Sequence, residues 1–208
     1  LAVSTDPSDY AETGRGNRLS AINFRQQDKE DFVVTSTPEV MTTSEISVFV
    51  AGNYENDGDN FGGMICSNDD DSWDDGWSIC QDNNTRDMLF YLDDYQDDDW
   101  NKRIDAAYGT NHVCNLIFNK TENLSYGYKS EDACSFAFNG PLDYNGGAND
   151  DVLIGSAPDN GWPDDYLSGD RMEVIIYDVA VNDAQRIIIA NYLAAKYAKS
   201  PSNNNVCN

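Results

Sequence analysis

The sequence predicts an all-β protein, a sandwich of antiparallel sheets with one α-helix near its C-terminal end. Three observations predict it. Short runs of β-branched and aromatic residues alternate with clusters of Asp, Asn and Gly along almost the whole chain, the pattern of strands joined by turns. No helical periodicity is interleaved between those runs, which argues against strand–helix–strand crossovers. The chain of 208 residues, with 12 Tyr, 8 Phe and 4 Trp, is long enough for one large two-layer core, since a domain of this size buries roughly 70% of its extended surface.

Taken in order, strands are expected at Leu19–Phe24, Asp31–Thr35, Glu45–Gly52, Gly62–Cys66, Trp77–Gln81 and Asp87–Leu92. Five more follow at His112–Asn119, Leu124–Tyr128, Cys134–Phe138, Val152–Ser156 and Arg171–Asp178. Each run favours a pleated, half-buried surface, and each is bounded by residues that supply turns. The helix is expected over Asn182–Lys199, where Ile187, Ile188, Asn191, Tyr192, Ala195 and Lys196 fall at helical spacing. Asn182 or Asp183 can cap its start, Lys196 and Lys199 suit its end, and Pro201 stops it. No repeat or linker divides the chain. The expected organisation is an N-terminal arm over 1–17, one domain over 18–200 and a polar tail over 201–208.

The formal charge is −24, carried by 29 Asp and 8 Glu against 13 Lys and Arg. Asp favours turns and oxygen-ligand loops where Glu favours helices, so the acidity is expected in the loops. A polyanion repels phosphate backbones and anionic lipid, which disfavours nucleic acid and membrane surfaces as partners. No apolar run approaches the roughly 20 residues of a spanning helix, so no membrane insertion is expected. The start at Leu1, without Met or a signal-peptide core, reads as a processed or excised product.

Five cysteines in an acidic, Asn-rich chain point to an oxidising compartment, and hence to a secreted or cell-surface protein. Cys66 and Cys80 flank one polar turn, Cys114 and Cys134 another, and each pair is expected to form a disulfide between neighbouring hairpin strands if the registers match. Free buried thiols are the alternative. Cys207 is left over. Three glycosylation sequons begin at Asn83, Asn119 and Asn123.

From Arg18 to Lys199 the chain resembles the laminin-G-like, concanavalin-A-like jelly-roll domains of bacterial surface and secreted proteins. The residues that carry the resemblance are Leu153-Ile154-Gly155, then Leu167-Ser168-Gly169-Asp170-Arg171-Met172-Glu173-Val174-Ile175-Ile176-Tyr177-Asp178, which looks like the family's final strand. Val181 to Arg186 and Asn191-Tyr192-Leu193-Ala194-Ala195-Lys196-Tyr197 look like the helix after it. The resemblance implies a jelly-roll sandwich and says little of function. One departure stands out: the family's Trp-bearing opening strand is missing before Leu19, where no Trp precedes Trp73.

Glycosidases occur on this fold, so catalysis was weighed. A retaining glycosidase needs two carboxyls about 5–5.5 Å apart, and the Glu-x-Asp-x-x-Glu strand that supplies them in the laminarinase-like branch is absent. Glu173 stands alone on the last strand, and His112, the one histidine, has no acid beside it in sequence. No catalytic residue is assigned. Calcium is the expected ion, because hard cations take six to eight oxygens from Asp, Asn and carbonyl groups of flexible loops. Asp57, Asp59 and Asn60 form one candidate loop, and Asp93, Asp97 and Asp99 another, with a solvated acidic surface as the alternative. Trp73, Trp100, Trp162, Tyr95 and Tyr166 lie in or beside acidic loops and could stack on sugar rings.

Three functions compete. The leading expectation is a non-catalytic subunit of an extracellular polymer or fibril, joined head-to-tail to copies of itself. In that scheme Leu1 and Val3 would fill the missing strand's slot in a neighbour and Cys207 would lock the junction. The second is a calcium-dependent carbohydrate-binding module of an adhesin, with glycans as partners. The third, a glycoside hydrolase, has no positive residue evidence.

Overall fold

The computed structural model describes residues 10–11, 21–25, 28–29, 31–34, 45–56, 61–67, 76–82, 85–92, 103–122, 124–129, 132–137, 152–159, 162–163 and 165–197. In chain order the strands are β1 (Tyr10–Ala11), β2 (Ala21–Phe24), β3 (Phe32–Val34), β4 (Ile46–Gly52), β5 (Gly63–Ser67), β6 (Trp77–Asp82), β7 (Asp87–Leu92) and β8 (Arg103–Asp105). Then come β9 (His112–Asn119), β10 (Leu124–Lys129), β11 (Asp132–Ala137), β12 (Val152–Ile154), β13 (Pro158–Asp159), β14 (Trp162–Pro163), β15 (Gly169–Tyr177) and the helix α1 (Asp183–Tyr197).

Among the described residues one sheet runs β1-β2-β15-β4-β9-β10-β11 and the other β3-β12-β5-β6-β7-β8, with β13 and β14 as a separate ribbon. All pairings are antiparallel. The expected sandwich with one C-terminal helix is what forms, and all eleven expected strands have a counterpart within a few residues of their ends. Sequence reading missed β8, β13 and β14, which are only two or three residues long and carry almost no periodicity. It also placed no strand in the arm. The seven-stranded sheet is opened by Tyr10–Ala11, paired with the chain's own β2, so the missing opening strand is corrected in part from within the same chain.

The core lies between the sheets because alternate residues of β4, β6, β7 and β9 point inward. Val48, Val50, Trp77, Ile79, Phe90, Leu116 and Phe118 are all fully buried there. The opposite face of the seven-stranded sheet carries α1. Phe49, Ala51 and Val113 meet Leu193 and Tyr197, with Ile189, Ala190 and Ala194 packed alongside. The helix begins with a reciprocal cap. Asn182 Oδ1 accepts from Gln185 N at 3.0 Å, and Gln185 Oε1 accepts from Asn182 N at 3.0 Å, which satisfies two otherwise orphaned donors.

One end of the sandwich is tied by a polar network. Asp170 accepts from Asn23 at 2.9 Å and from Asn53 at 3.0 Å, and Asn53 also reaches Asn111, which donates to the Tyr197 carbonyl at 2.8 Å. Gly169 (φ +149°) is required here, since a Cβ would lie 2.3 Å from the Asn53 carbonyl oxygen. The network joins β2, β15, the end of β4 and the start of β9 to the last turn of α1. It thereby fixes how the helix lies across the sheet.

The disulfide expectation is corrected. Cys66, Cys80, Cys114 and Cys134 form no disulfide. Cys66 pairs in register with Ser78, and Cys80 with Gly63, so the two cysteines are diagonal on one face. Such diagonals are about 7–8 Å apart, too far for a bridge. Cys114 on β9 and Cys134 on β11 are separated by the whole of β10, a gap of about two strand spacings, near 9.5 Å. The hairpin of the first pair exists but its register refuses the bond, and the second pair is kept apart by an intervening strand.

Candidate functional site

The residue pattern Tyr126-Gly127-Tyr128 on β10 puts two rings on one face with a glycine facing the other way. Gly127 has to be glycine: a Cβ there would lie 2.5 Å from the Phe90 ring and 2.9 Å from Cys134 Sγ, both on the core side. Tyr126 and Tyr128 therefore stand on the helix-bearing face. Their ring centroids are 6.2 Å apart with planes inclined by 24°.

The first turn of α1 closes one side of this pair. Arg186 lies over the Tyr128 ring, 3.9 Å from its centroid, and its Nε is 3.3 Å from Asp183 Oδ1. On the other side the neighbouring strand carries small side chains. Tyr126 is opposite Ser135 and Tyr128 opposite Ala133 on β11, and both small residues are exposed. On the helix side the floor is buried: Ile117 and Asn115 of β9 pair with Tyr126 and Tyr128 and are 4% and 0% exposed. Neither end of the Asn115 amide has a hydrogen-bond partner among the described residues, a burial that costs about 1–3 kcal/mol, and at 0% exposure it lies out of a ligand's reach.

The result is a shelf. Tyr128 is clamped by the guanidinium, Tyr126 offers a ring to the outside, and the Asp183 carboxylate, 81% exposed, stands at its rim. Burial, then the charges of Glu122 and Asp183, push the Tyr126 hydroxyl pKa up, so it stays a neutral donor at physiological pH. Partly exposed rings beside exposed hydroxyl and carboxylate groups suit a ligand with an apolar face and a polar edge. Sequence reading missed Tyr126, Tyr128 and Arg186. The signal was two tyrosines at i and i+2 around a glycine inside an expected strand.

The residues singled out from sequence have other places. Asp57, Asp59, Asn60, Asp93, Asp97, Asp99, Asn83, Asn123, Tyr95, Trp73, Trp100, Leu1, Val3 and Cys207 lie outside the described residues. Among the described residues no group of three His, Cys, Asp or Glu side chains could hold a metal ion. Trp162 is in β14, paired with Asp159. Tyr166 is 8% exposed with Lys29 5.5 Å above its ring, which leaves it little surface for a ligand. Asn119 ends β9, and its Oδ1 accepts from the Glu122 amide at 3.2 Å in the following turn.

The two side chains weighed for catalysis are engaged structurally. His112 is buried with Nε2 3.0 Å from the Ala107 carbonyl, and burial holds its pKa below the ordinary value, so the ring is neutral. Glu173 accepts from Lys196 at 2.8 Å and from the Tyr192 hydroxyl at 3.3 Å, which ties β15 to the helix.

No protein-family model matches the chain, and no curated protein matches it by sequence. Solved structures do. The fold is similar to the CBM40 of the Ruminococcus gnavus IT-sialidase bound to alpha2,3 sialyllactose. The TM-score is 0.65 at 9% identity, over 82% of this chain and 95% of that one. It is similar to a Bacteroides ovatus protein assigned to carbohydrate binding, with a TM-score of 0.59 at 12% identity over 79% of this chain and 45% of that one. The NanB sialidase of Streptococcus pneumoniae matches at a TM-score of 0.60 and 10% identity, over 80% of this chain but only 26% of its own length. At these identities the likeness is one of fold.

Proposed function

We propose that this chain is a non-catalytic carbohydrate-binding module, and that the Tyr126–Tyr128–Arg186 shelf is where it takes its ligand. The observation that carries the reading is the paired, outward rings of Tyr126 and Tyr128 beside exposed Ser135 and Asp183. A pyranose has an apolar C–H face that gains from an aromatic ring, and hydroxyls at its edge that gain from a hydroxyl and a carboxylate. The fold likeness points the same way. Structures matched over most of their own length include a carbohydrate-binding domain, whereas the NanB sialidase is matched over about a quarter of its length. This reading displaces the polymer-subunit expectation. The segments that would have lent themselves to a neighbour lie outside the described residues, and the sheet's opening strand comes from the chain itself.

The test is binding of the full chain to a panel of neutral and acidic oligosaccharides, read by calorimetry. Saturable binding to at least one glycan is expected, lost in Tyr126→Ala and kept in Tyr126→Phe, with no release of reducing sugar on long incubation. Binding to none of the panel overturns the reading.

A further inference from the structure

The fold-level neighbours include a domain holding a sialylated, anionic sugar. The charges around the shelf argue for a different ligand. We infer that the shelf takes an uncharged saccharide, one bearing neither carboxylate nor sulfate; this rests on the carbohydrate-binding reading above.

The argument is an inventory of the cations. To hold an anionic sugar a site presents a cation free to meet it, and Arg and Lys do this best when their donors are not already spent. Arg186 is spent. Its guanidinium is laid on the Tyr128 ring at 3.9 Å, and its Nε faces Asp183 at 3.3 Å, with the arginine side chain only 15% exposed. Lys129 alternates to the opposite face of β10 from the two tyrosines, as Gly127 does. Its Nζ is 3.1 Å from Asp132 and donates to the Asp105 carbonyl. Lys120 is exposed in the turn between β9 and β10, where the carboxylate of Glu122 two residues on offsets its charge.

The carboxylates are the accessible groups. Asp183 is 81% exposed at the rim, and Glu122 is close enough to raise the Tyr126 pKa. Exposed carboxylates accept hydrogen bonds from sugar hydroxyls and repel a carboxylate or sulfate. Around them the chain carries a formal charge of −24, a field that lowers the local concentration of any anionic glycan. The ring of Tyr126 and the hydroxyl of Ser135 do not depend on ligand charge. An uncharged pyranose therefore keeps the attractive contacts and avoids the repulsive ones.

The experiment compares lactose with sialyllactose, alongside neutral and uronic-acid-containing oligosaccharides, on the full chain at low and at 0.5 M salt, a concentration of about 4 Å screening length. Expected is binding to neutral glycans that changes little with salt, at least about tenfold tighter than to their acidic counterparts, a difference of about 1.4 kcal/mol. Asp183→Asn should narrow that selectivity, and Tyr126→Ala should remove neutral binding while Tyr126→Phe keeps it, with circular dichroism confirming the fold of each. Tighter binding of sialyllactose, weakened by salt and lost in Arg186→Gln, would overturn the inference and leave carbohydrate binding standing. Neutral binding indifferent to Tyr126→Ala would overturn the shelf as its site. Binding of neither class would overturn the carbohydrate-binding reading itself.

Discussion

The guanidinium of Arg171 donates from Nη1 to the Asn53 carbonyl at 2.6 Å, inside the sandwich and 3% exposed. The same nitrogen reaches the Asp170 carbonyl at 2.8 Å, while Nε and Nη2 have no hydrogen-bond partner among the described residues. Burial pulls the Arg171 pKa down to about 9, which is the cost of desolvating the cation expressed as a titration. The neighbouring Asp170 carboxylate, whose oxygens Asn23 and Asn53 hold, offsets part of that cost by its charge.

Arg171→Met should therefore lose less stability than Arg171→Ala. Met removes a poorly satisfied buried cation while keeping most of its length, although it leaves the Asp170 charge without that partner. Arg171→Ala adds a cavity beneath the network. Chemical denaturation of the two variants separates the effects. A Met variant markedly weaker than the native chain would show that the Asn53 anchor outweighs the desolvation cost.

The four described cysteines should behave as thiols. Non-reducing peptide mapping should find Cys66, Cys80, Cys114 and Cys134 unpaired, and reductant should leave the melting midpoint unchanged. Burial pushes the Cys114 thiol up to about 12 and those of Cys66 and Cys80 higher than their ordinary range. Native-state alkylation at pH 8 should thus mark Cys134, the half-buried one, well before the other three. Recovery of a Cys66–Cys80 or Cys114–Cys134 peptide pair would contradict the registers described above.

The docking of α1 should weaken in acid through Glu173. Burial alone pushes its carboxyl up, but hydrogen bonds from Lys196, Tyr197 and Tyr192, with the Lys196 charge, outweigh burial and hold the pKa below its ordinary value. A carboxyl depressed in the folded state contributes stability above its unfolded pKa, near 4.5, and loses it as pH falls through the folded value. Glu173→Gln should cost about 0.5 kcal/mol at pH 7, the scale of a partly exposed pair, and nothing once both chains are protonated. Melts of the two proteins between pH 7 and pH 2 check this. A difference that persists at the acid end would assign the effect to packing.

Local pattern reached far in this chain because a strand's requirements are local. β9 was legible at its exact bounds because alternation and flanking turns mark both ends, and the Asn182–Gln185 cap lies within one turn of chain. What it could not supply was register. Cys66 falls opposite Ser78, two residues from Cys80, and the register slips by one between Gly63 and Ile65; shifts of that kind leave the flanking sequence equally strand-like.

The helix shows the same limit. Ile187, Ile188 and Tyr192 are at helical spacing, yet they are 47%, 69% and 47% exposed, and the stripe against the sheet is the buried Leu193 and Tyr197 with the half-buried Ile189 and Ala190. Apolar residues surround α1, so periodicity alone has no preferred face; the Asn111–Tyr197 and Glu173–Lys196 bonds to the sheet select one. The shelf is decided likewise. Sequence alone determined that Tyr126 and Tyr128 share a face of a strand, because side chains alternate with period two. Only the tertiary structure decided that this face looks outward beside Arg186, because that depends on which side of β10 the second sheet closes against.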